Sequence, residues 1–328
     1  YCSCKLEIFN SMLNERVLMK KSNLGQFNTK NDVWLRPHVV DFIHHSGCVY
    51  ALDPFAGAGD LLVAAKDLGF KQVSGYDIDI EINKKHGWWY NDSLKETPTE
   101  PMGTIVITNP PYLAKNSANR NEYDGYSYFD GNSYEDLYQL ALEKVFAKYK
   151  YSVFIIPETY FLTDLFKEYL DNITILEDNP FEDTDCPVCV ACFNVRQDFL
   201  SFSQNEYKIY KNDNLLFTNH ELHNIVLGYD SRANYTFYFN DTDGKLGLRG
   251  VDGTNSEDRI RFCRAEDLGY DLEDIKESSR AITTIYIPEF KITDKFLTLA
   301  NEFLEDLRRE THDLVLSPFK NNNKIGKR

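Results

Sequence analysis

The sequence predicts an α/β fold: a parallel sheet with helical crossovers over residues 1–197, then a smaller mixed α+β domain over 198–328. Three observations carry this. Between residues 48 and 195, short apolar, β-branched runs alternate with stretches of helical length and pattern, the signature of a parallel sheet with crossover helices. The run Asp53-Pro54-Phe55-Ala56-Gly57-Ala58-Gly59-Asp60 lies between the first strand and its helix, where open α/β sheets bind ligands. After about residue 197 the composition shifts to Asn, Asp, Tyr and Phe, with short strand-like runs.

Residues 5–21 place Leu6, Phe9, Met12, Leu13 and Val17 at helical spacing, and the polar turn Ser22-Asn23-Leu24-Gly25-Gln26 follows. A helix over 38–44 comes after Val33-Trp34-Leu35-Arg36-Pro37. Strands are predicted at 48–52, 72–76, 104–108, 152–156, 173–176 and 188–195, and helices at 60–68, 134–149 and 159–170. In the second domain, strands are expected at 235–239 and 283–287. A helix over 296–309 aligns Phe296, Leu299, Phe303 and Leu307 on one face. The tail, 317–328, carries Lys320, Lys324, Lys327 and Arg328 and no acid. No internal repeat is present.

A length of 328 residues suits about two domains. The 36 basic and 51 acidic residues leave a net charge of −15, which disfavours tight non-specific nucleic-acid binding but allows a local basic face. No apolar run approaches the roughly 20 residues needed to span a bilayer. The N-terminal stretch lacks a secretion signal, and because it begins at Tyr1 rather than Met, residues in front of it are expected. Seven cysteines, an odd number, are read as reduced, implying a cytoplasmic protein.

Gly57 and Gly59 let the backbone turn tightly and approach a ligand. No Gly-Lys-Ser/Thr follows, so this is not a phosphate loop, and the third glycine of a dinucleotide fingerprint is missing. The second strand ends in Gly75-Tyr76-Asp77-Ile78-Asp79, and Tyr90-Asn91-Asp92-Ser93 precedes the next strand. A carboxylate at the first place suits both ribose hydroxyls of a nucleoside; one at the second suits an adenine amino group. Alone, each acid reads as a loop residue or helix cap. Three at successive strand tips, beside a Gly-x-Gly turn, point to a nucleoside pocket.

Asp53-Pro54-Phe55-Ala56-Gly57-x-Gly59 resembles the loop of S-adenosylmethionine-dependent methyltransferases, in the form found in amino-methylating DNA methyltransferases. The resemblance implies a Rossmann-like domain with S-adenosylmethionine as cofactor. It implies a cofactor set of Asp53, Phe55 and Gly57 at the methionine part, Asp77 at the ribose and Asp92 at the adenine, completed by Asn109. Gly25-Gln26-Phe27-Asn28-Thr29 is similar to a family element at the methionine end, which adds Thr29; Lys30 stands where the family usually has proline.

Strand 104–108 runs into Asn109-Pro110-Pro111-Tyr112. An exocyclic base amine is a poor nucleophile because its lone pair is delocalised. The Asn109 side-chain carbonyl and the Pro110 backbone carbonyl can accept its two hydrogens and favour a tetrahedral nitrogen. The prolines fix these acceptors in place. Holding the amine near the methyl supplies several kcal/mol of orientation advantage. No base is needed before transfer, since the proton becomes acidic afterwards. Tyr112 can stack on the target base, which must leave the duplex to reach this site. In the similar adenine-N6 enzymes an aromatic residue just before a later strand stacks on the flipped adenine; Phe181 of Asn179-Pro180-Phe181, 12 residues before Phe193, occupies that place.

The cofactor loop precedes the tetrapeptide by about 50 residues, so a recognition domain must follow, the gamma arrangement. The sequence is therefore read as a gamma-class DNA adenine-N6 methyltransferase of the restriction-modification family, acting as a monomer on double-stranded DNA. A cognate restriction endonuclease is its expected genetic partner, with no contact implied. Lys245, Arg249, Arg259, Arg261 and Arg264, with the tail lysines, are candidate DNA contacts. Rival readings are a protein-glutamine or RNA methyltransferase, a cytosine-N4 DNA methyltransferase, or a non-catalytic specificity subunit with a vestigial pocket.

Other signals carry less. Cys186, Cys189 and Cys192 lack the fourth ligand of a cluster, and strand alternation sends Cys189 to the opposite face. Cys2 and Cys4 lack partners at zinc spacing. His220-Glu221-Leu222-His223 is one residue short of the zinc-protease pattern. Pro288-Glu289-Phe290-Lys291 has only loose upstream acids, Asp271 or Asp274, for a nuclease. No metal is expected. Residues 114–133 form a long polar loop rich in Tyr, Asn and Gly, of the kind that carries function.

Overall fold

The computed structural model describes residues 32–121, 123–178, 180–181, 186–195, 205–228, 235–250, 259–269, 282–312 and 314. The predicted helix over 5–21, Cys2, Cys4, Thr29, Asp271, Asp274 and the basic tail lie outside them. The chain divides into two units, Tyr1–Thr218 and Asn219–Arg328.

The first unit is built on nine strands: β1 (Tyr50–Asp53), β2 (Gln72–Asp77), β3 (Trp89–Tyr90), β4 (Thr104–Thr108), β5 (Tyr151–Pro157), β6 (Leu170–Ile175), β7 (Val188–Asn194), β8 (Lys208–Lys211) and β9 (Asn214–Thr218). They lie in the order β3-β2-β1-β4-β5-β7-β6-β8-β9. β1 to β5 pair in parallel, and β7 inserts antiparallel to both β5 and β6. This is the Rossmann-like α/β sheet that the sequence predicts. β4 shows why its centre is parallel and covered on both faces: all five residues of Thr-Ile-Val-Ile-Thr are β-branched, and all five are buried.

Among the described residues, five α-helices belong to this unit: α1 (Pro37–His45), α2 (Asp60–Asp67), α3 (Ile80–His86), α4 (Lys115–Arg120) and α5 (Leu137–Phe146). α1 buries Val39, Phe42 and Ile43, one helical stripe. α5 starts later than predicted because Asp136 caps it, its carboxylate accepting from Tyr138 N at 3.4 Å and Leu113 N at 3.0 Å.

The helix predicted over 159–170 does not form. The segment folds as two 3₁₀ turns, Glu158–Leu162 and Lys167–Tyr169, with Thr163 extended and Phe166 left-handed at φ 58°. The break lets Tyr160 and Lys167 both point inward; each is essentially inaccessible to solvent. The division between units also falls later than residue 197. β8 pairs in parallel with β6 and forms a hairpin with β9, so residues up to Thr218 extend the first sheet.

The second unit holds α6 (Asn219–Gly228), the strands β10 (Tyr238–Phe239), β11 (Leu246–Arg249), β12 (Arg261–Arg264) and β13 (Ile282–Tyr286), and α7 (Asp294–Glu310). The four strands pair antiparallel in the order β10-β13-β11-β12. Leu246, Ile285 and Ile287 form its core with Phe262, Phe290, Phe296 and Leu297. α7 starts at an N-cap, Thr293 Oγ1 accepting from Phe296 N at 3.2 Å. Of the predicted face, Phe296 and Leu307 turn to the sheet and Leu299 and Phe303 do not. Asn301 brackets Phe262 through both backbone groups at 2.8 and 2.9 Å, and Leu304 and Leu307 pack on Ile260 and Leu248, whereas Leu299 and Phe303 are exposed. Among the described residues β12 is an edge strand, and polar Asn301 lies on the inward stripe because it pairs with the backbone of that edge.

Candidate functional site

The order in which strands are added to the sheet reverses between the parallel neighbours β1 and β4, with β2 and β3 intervening in sequence. Such a switch point opens a crevice at the carboxyl ends of the two strands. The glycine loop leaves β1 there and the Asn-Pro-Pro-Tyr segment leaves β4 beside it. Thr108 Oγ1 fastens the two, donating to Asp53 Oδ1 at 2.6 Å. The same oxygen accepts Phe55 N at 3.0 Å, folding the loop back on the strand. Asp53 is buried, and burial pushes its carboxyl up to about 7.

The loop is pinned on both sides of Gly57. Gly57 N donates to Asp77 Oδ2 at 2.9 Å, and the Gly57 carbonyl accepts the Trp88 indole N–H at 3.1 Å. Gly57 and Gly59 have φ of +49° and +89°, values that L side chains rarely adopt. A Cβ on Gly57 would meet nothing within 4 Å, so space is open beside the backbone. A Cβ on Gly59 would lie in the Trp88 ring.

Asp77, at the tip of β2, holds Gly57 N with one oxygen and Asp79 N with the other at 2.8 Å. Burial raises its pKa, against the lowering effect of these bonds. Asn91 N donates to the Asp77 carbonyl at 3.1 Å, which brings the following Asp92 alongside. Asp92 Oδ2 accepts from Tyr128 Oη at 3.0 Å and pairs with Lys95 Nζ at 2.9 Å. The three acids therefore stand at neighbouring tips, as the sequence predicts, and each is already held in place by a named donor.

In the tetrapeptide, the Tyr112 hydroxyl shares its one proton between Asn109 Oδ1 and the Ile155 carbonyl, the latter at 2.7 Å. Tyr112 and Phe181 meet edge to face, centroids 6.2 Å apart and planes at 64°. Both are buried, and burial pushes the Tyr112 hydroxyl pKa far up, so it acts only as a neutral donor.

Among the described residues, the predicted DNA contacts lie on β11, β12 and the residues just before them. Arg259 pairs with Glu305 at 3.1 Å and Arg264 with Asp294 at 2.6 Å, both tied to α7. Arg249 and Arg261 lie directly opposite each other on β11 and β12, on the sheet face away from Leu246 and Leu248. Lys245 lines a cleft of about 470 Å³ with Arg264, Glu266, Glu289 and Lys291. Cys189 and Cys192 are buried thiols whose pKa burial raises steeply, and His220 and His223 are exposed on α6. Sequence reasoning missed Trp88 and Tyr128, which belong to no motif and reach the site only through long-range packing.

Residues 72–184 match the Eco57I restriction-modification methylase family. The matched stretch runs from β2 through the tetrapeptide to just beyond Phe181. No curated protein matches the chain. Among solved structures it is similar to the methyltransferase subunit of a type I restriction-modification system from Streptococcus thermophilus, at 18% identity and a TM-score of 0.42, over 64% of this chain and 54% of that one. A protein assigned as a class I S-adenosylmethionine-dependent methyltransferase from Listeria monocytogenes matches at 16% identity and a TM-score of 0.41, over 65% and 75%. A modification subunit assigned to a type I restriction enzyme from Vibrio vulnificus matches at 16% identity and a TM-score of 0.39, over 62% and 50%. The chain thus spans about half the length of the Streptococcus and Vibrio subunits. Among the described residues, no helix is long and apolar enough to cross a membrane.

Proposed function

We propose that this chain is a DNA adenine-N6 methyltransferase that uses S-adenosylmethionine, with the first unit catalytic and the second selecting the target sequence. The observation that carries this reading is the bond from Thr108 to Asp53, which ties the glycine loop to the start of the Asn-Pro-Pro-Tyr segment across the switch point. The residues fit the cofactor. Space is open beside Gly57 for its methionine part, and the buried carboxylate of Asp77 and the largely enclosed one of Asp92 stand ready for ribose and adenine. Asp53 shapes the loop from beneath, and Phe55 follows it at the loop's turn. When bound, the cofactor supplies an electrophilic methyl group. Asn109 Oδ1, already oriented by the Tyr112 hydroxyl, accepts one hydrogen of the target amine through its second lone pair, and the Pro110 carbonyl accepts the other. Tyr112 and Phe181 supply the aromatic faces for the flipped base. Double-stranded DNA is the substrate, and a restriction endonuclease the genetic partner.

The test is methyl transfer from labelled S-adenosylmethionine to duplex DNA, RNA and protein in parallel, followed by nucleoside digestion. Label recovered as N6-methyladenine from DNA supports the reading. Label only in RNA, in protein or in N4-methylcytosine replaces it with the corresponding rival.

A further inference from the structure

The polar loop after the tetrapeptide folds back on itself. Lys115 N donates to the Glu135 carbonyl at 2.9 Å, and Ala118 and Phe129 anchor the loop as buried residues. Its 3₁₀ turn, Asp124–Phe129, delivers Tyr128 to Asp92. Asn132 Nδ2 fixes the Tyr128 carbonyl at 2.8 Å, and Lys95 Nζ lies 5.8 Å over the Tyr128 ring while pairing with the same carboxylate. Two donors, the Tyr128 hydroxyl and the Lys95 ammonium, converge on Asp92 Oδ2. Two donors on one oxygen restrain the carboxylate's rotation, which leaves Oδ1 in a preferred direction to meet a further donor.

We propose that Tyr128 is a positioning residue for the cofactor's adenine: it locks the Asp92 carboxylate so that it accepts an exocyclic purine amine and rejects a 6-oxo purine. The proposal rests on reading this pocket as the S-adenosylmethionine site. It also links the loop leaving the catalytic segment to cofactor selection. A 6-amino group donates to the carboxylate; a 6-oxo group presents a second acceptor, which the locked carboxylate repels.

The test is calorimetric binding of S-adenosylhomocysteine and S-inosylhomocysteine to the wild-type chain, Tyr128→Phe, Asp92→Asn and the double variant. Wild type is expected to prefer the 6-amino ligand. Tyr128→Phe, which keeps the ring, is expected to weaken S-adenosylhomocysteine binding about 3- to 10-fold, the scale of losing one ordinary hydrogen bond. It should leave S-inosylhomocysteine binding unchanged or improved and add no further loss in the Asp92→Asn background. Equal weakening of both ligands, or no change in either, overturns the role of Tyr128 alone. Failure of the wild type to bind either ligand removes the cofactor reading and this inference with it.

Discussion

Alanine at Gly75 should detach the glycine loop from its support. Gly75 lies on β2 at an ordinary φ, so the substitution adds no backbone strain. Its Cβ would fall 2.7 Å from Trp88 Cδ2 and Cε3 and 2.8 Å from Leu62 Cδ1. Ordinary contact starts near 3.4 Å, so the indole must withdraw by about 0.7 Å. The Trp88 Nε1 to Gly57 carbonyl bond is 3.1 Å long, and that withdrawal takes it beyond hydrogen-bonding range. Overpacking costs about 1–3 kcal/mol and the lost bond about 0.5–1.5 kcal/mol, so Gly75→Ala should destabilise by about 1.5–4.5 kcal/mol in urea unfolding. S-Adenosylhomocysteine binding should fall too, because Gly57 loses one of its two anchors. Trp88→Leu in the same chain removes the clash, so the double variant should show a coupling energy of about 1 kcal/mol or more. A neutral Gly75→Ala, or the same cost in the Trp88→Leu background, would refute the argument.

Three further expectations follow from the site. Burial holds Asp53 near 7 against 3.8 for the ordinary carboxyl, so the folded state binds its proton more tightly. The stability from this group is full below about pH 4 and is lost as pH rises through 7, by at most about 4 kcal/mol. Asp53→Asn keeps the acceptor for Thr108 and Phe55 and removes this dependence, so its Tm relative to wild type should rise between pH 4 and 8; a constant difference contradicts the account. Arg249→Ala and Arg261→Ala should each lower the salt slope of DNA binding by about one phosphate contact, measured by fluorescence anisotropy. Arg259→Ala and Arg264→Ala, whose partners are the α7 acids Glu305 and Asp294, should leave that slope unchanged and cost stability by about 1 kcal/mol or less. Phe181→Leu keeps apolar bulk against Tyr112 but removes an aromatic face. It should raise KM for DNA by about 5-fold or more while S-adenosylhomocysteine affinity holds, and an unchanged KM would take Phe181 out of the base pocket.

The motifs were legible because they are local. A β-branched run followed by Asn-Pro-Pro-Tyr, and a strand followed by Gly-x-Gly, encode the strand tips directly, and the structure brings both to one switch point. Some missed elements had readable signals. Asp79 caps α3 by accepting from Glu81 N at 2.8 Å, and Gly87 closes it at φ +77°, a start and stop present in the sequence. Asn212, at φ +50°, turns the β8–β9 hairpin; it lies in the Asn- and Asp-rich stretch after residue 197 whose composition shift reads as a second domain. Others had no local signal. Trp88 matters because its ring fills the space beside Gly59 and Gly75, and Tyr128 because it reaches Asp92 across the pocket. The failed helix over 159–170 shows the converse: helical spacing was present, but burial of Tyr160 and Lys167 required a broken path.

The most direct test of the central claim is methyl transfer to unmethylated duplex DNA by the wild-type chain and by Asn109→Ala, with cofactor binding measured on both. Wild type should yield N6-methyladenine and the variant a rate at least about 100-fold lower, the scale for losing one preorganised polar group, with cofactor affinity altered far less. No label in DNA despite intact cofactor binding, or equal rates from both chains, would contradict it.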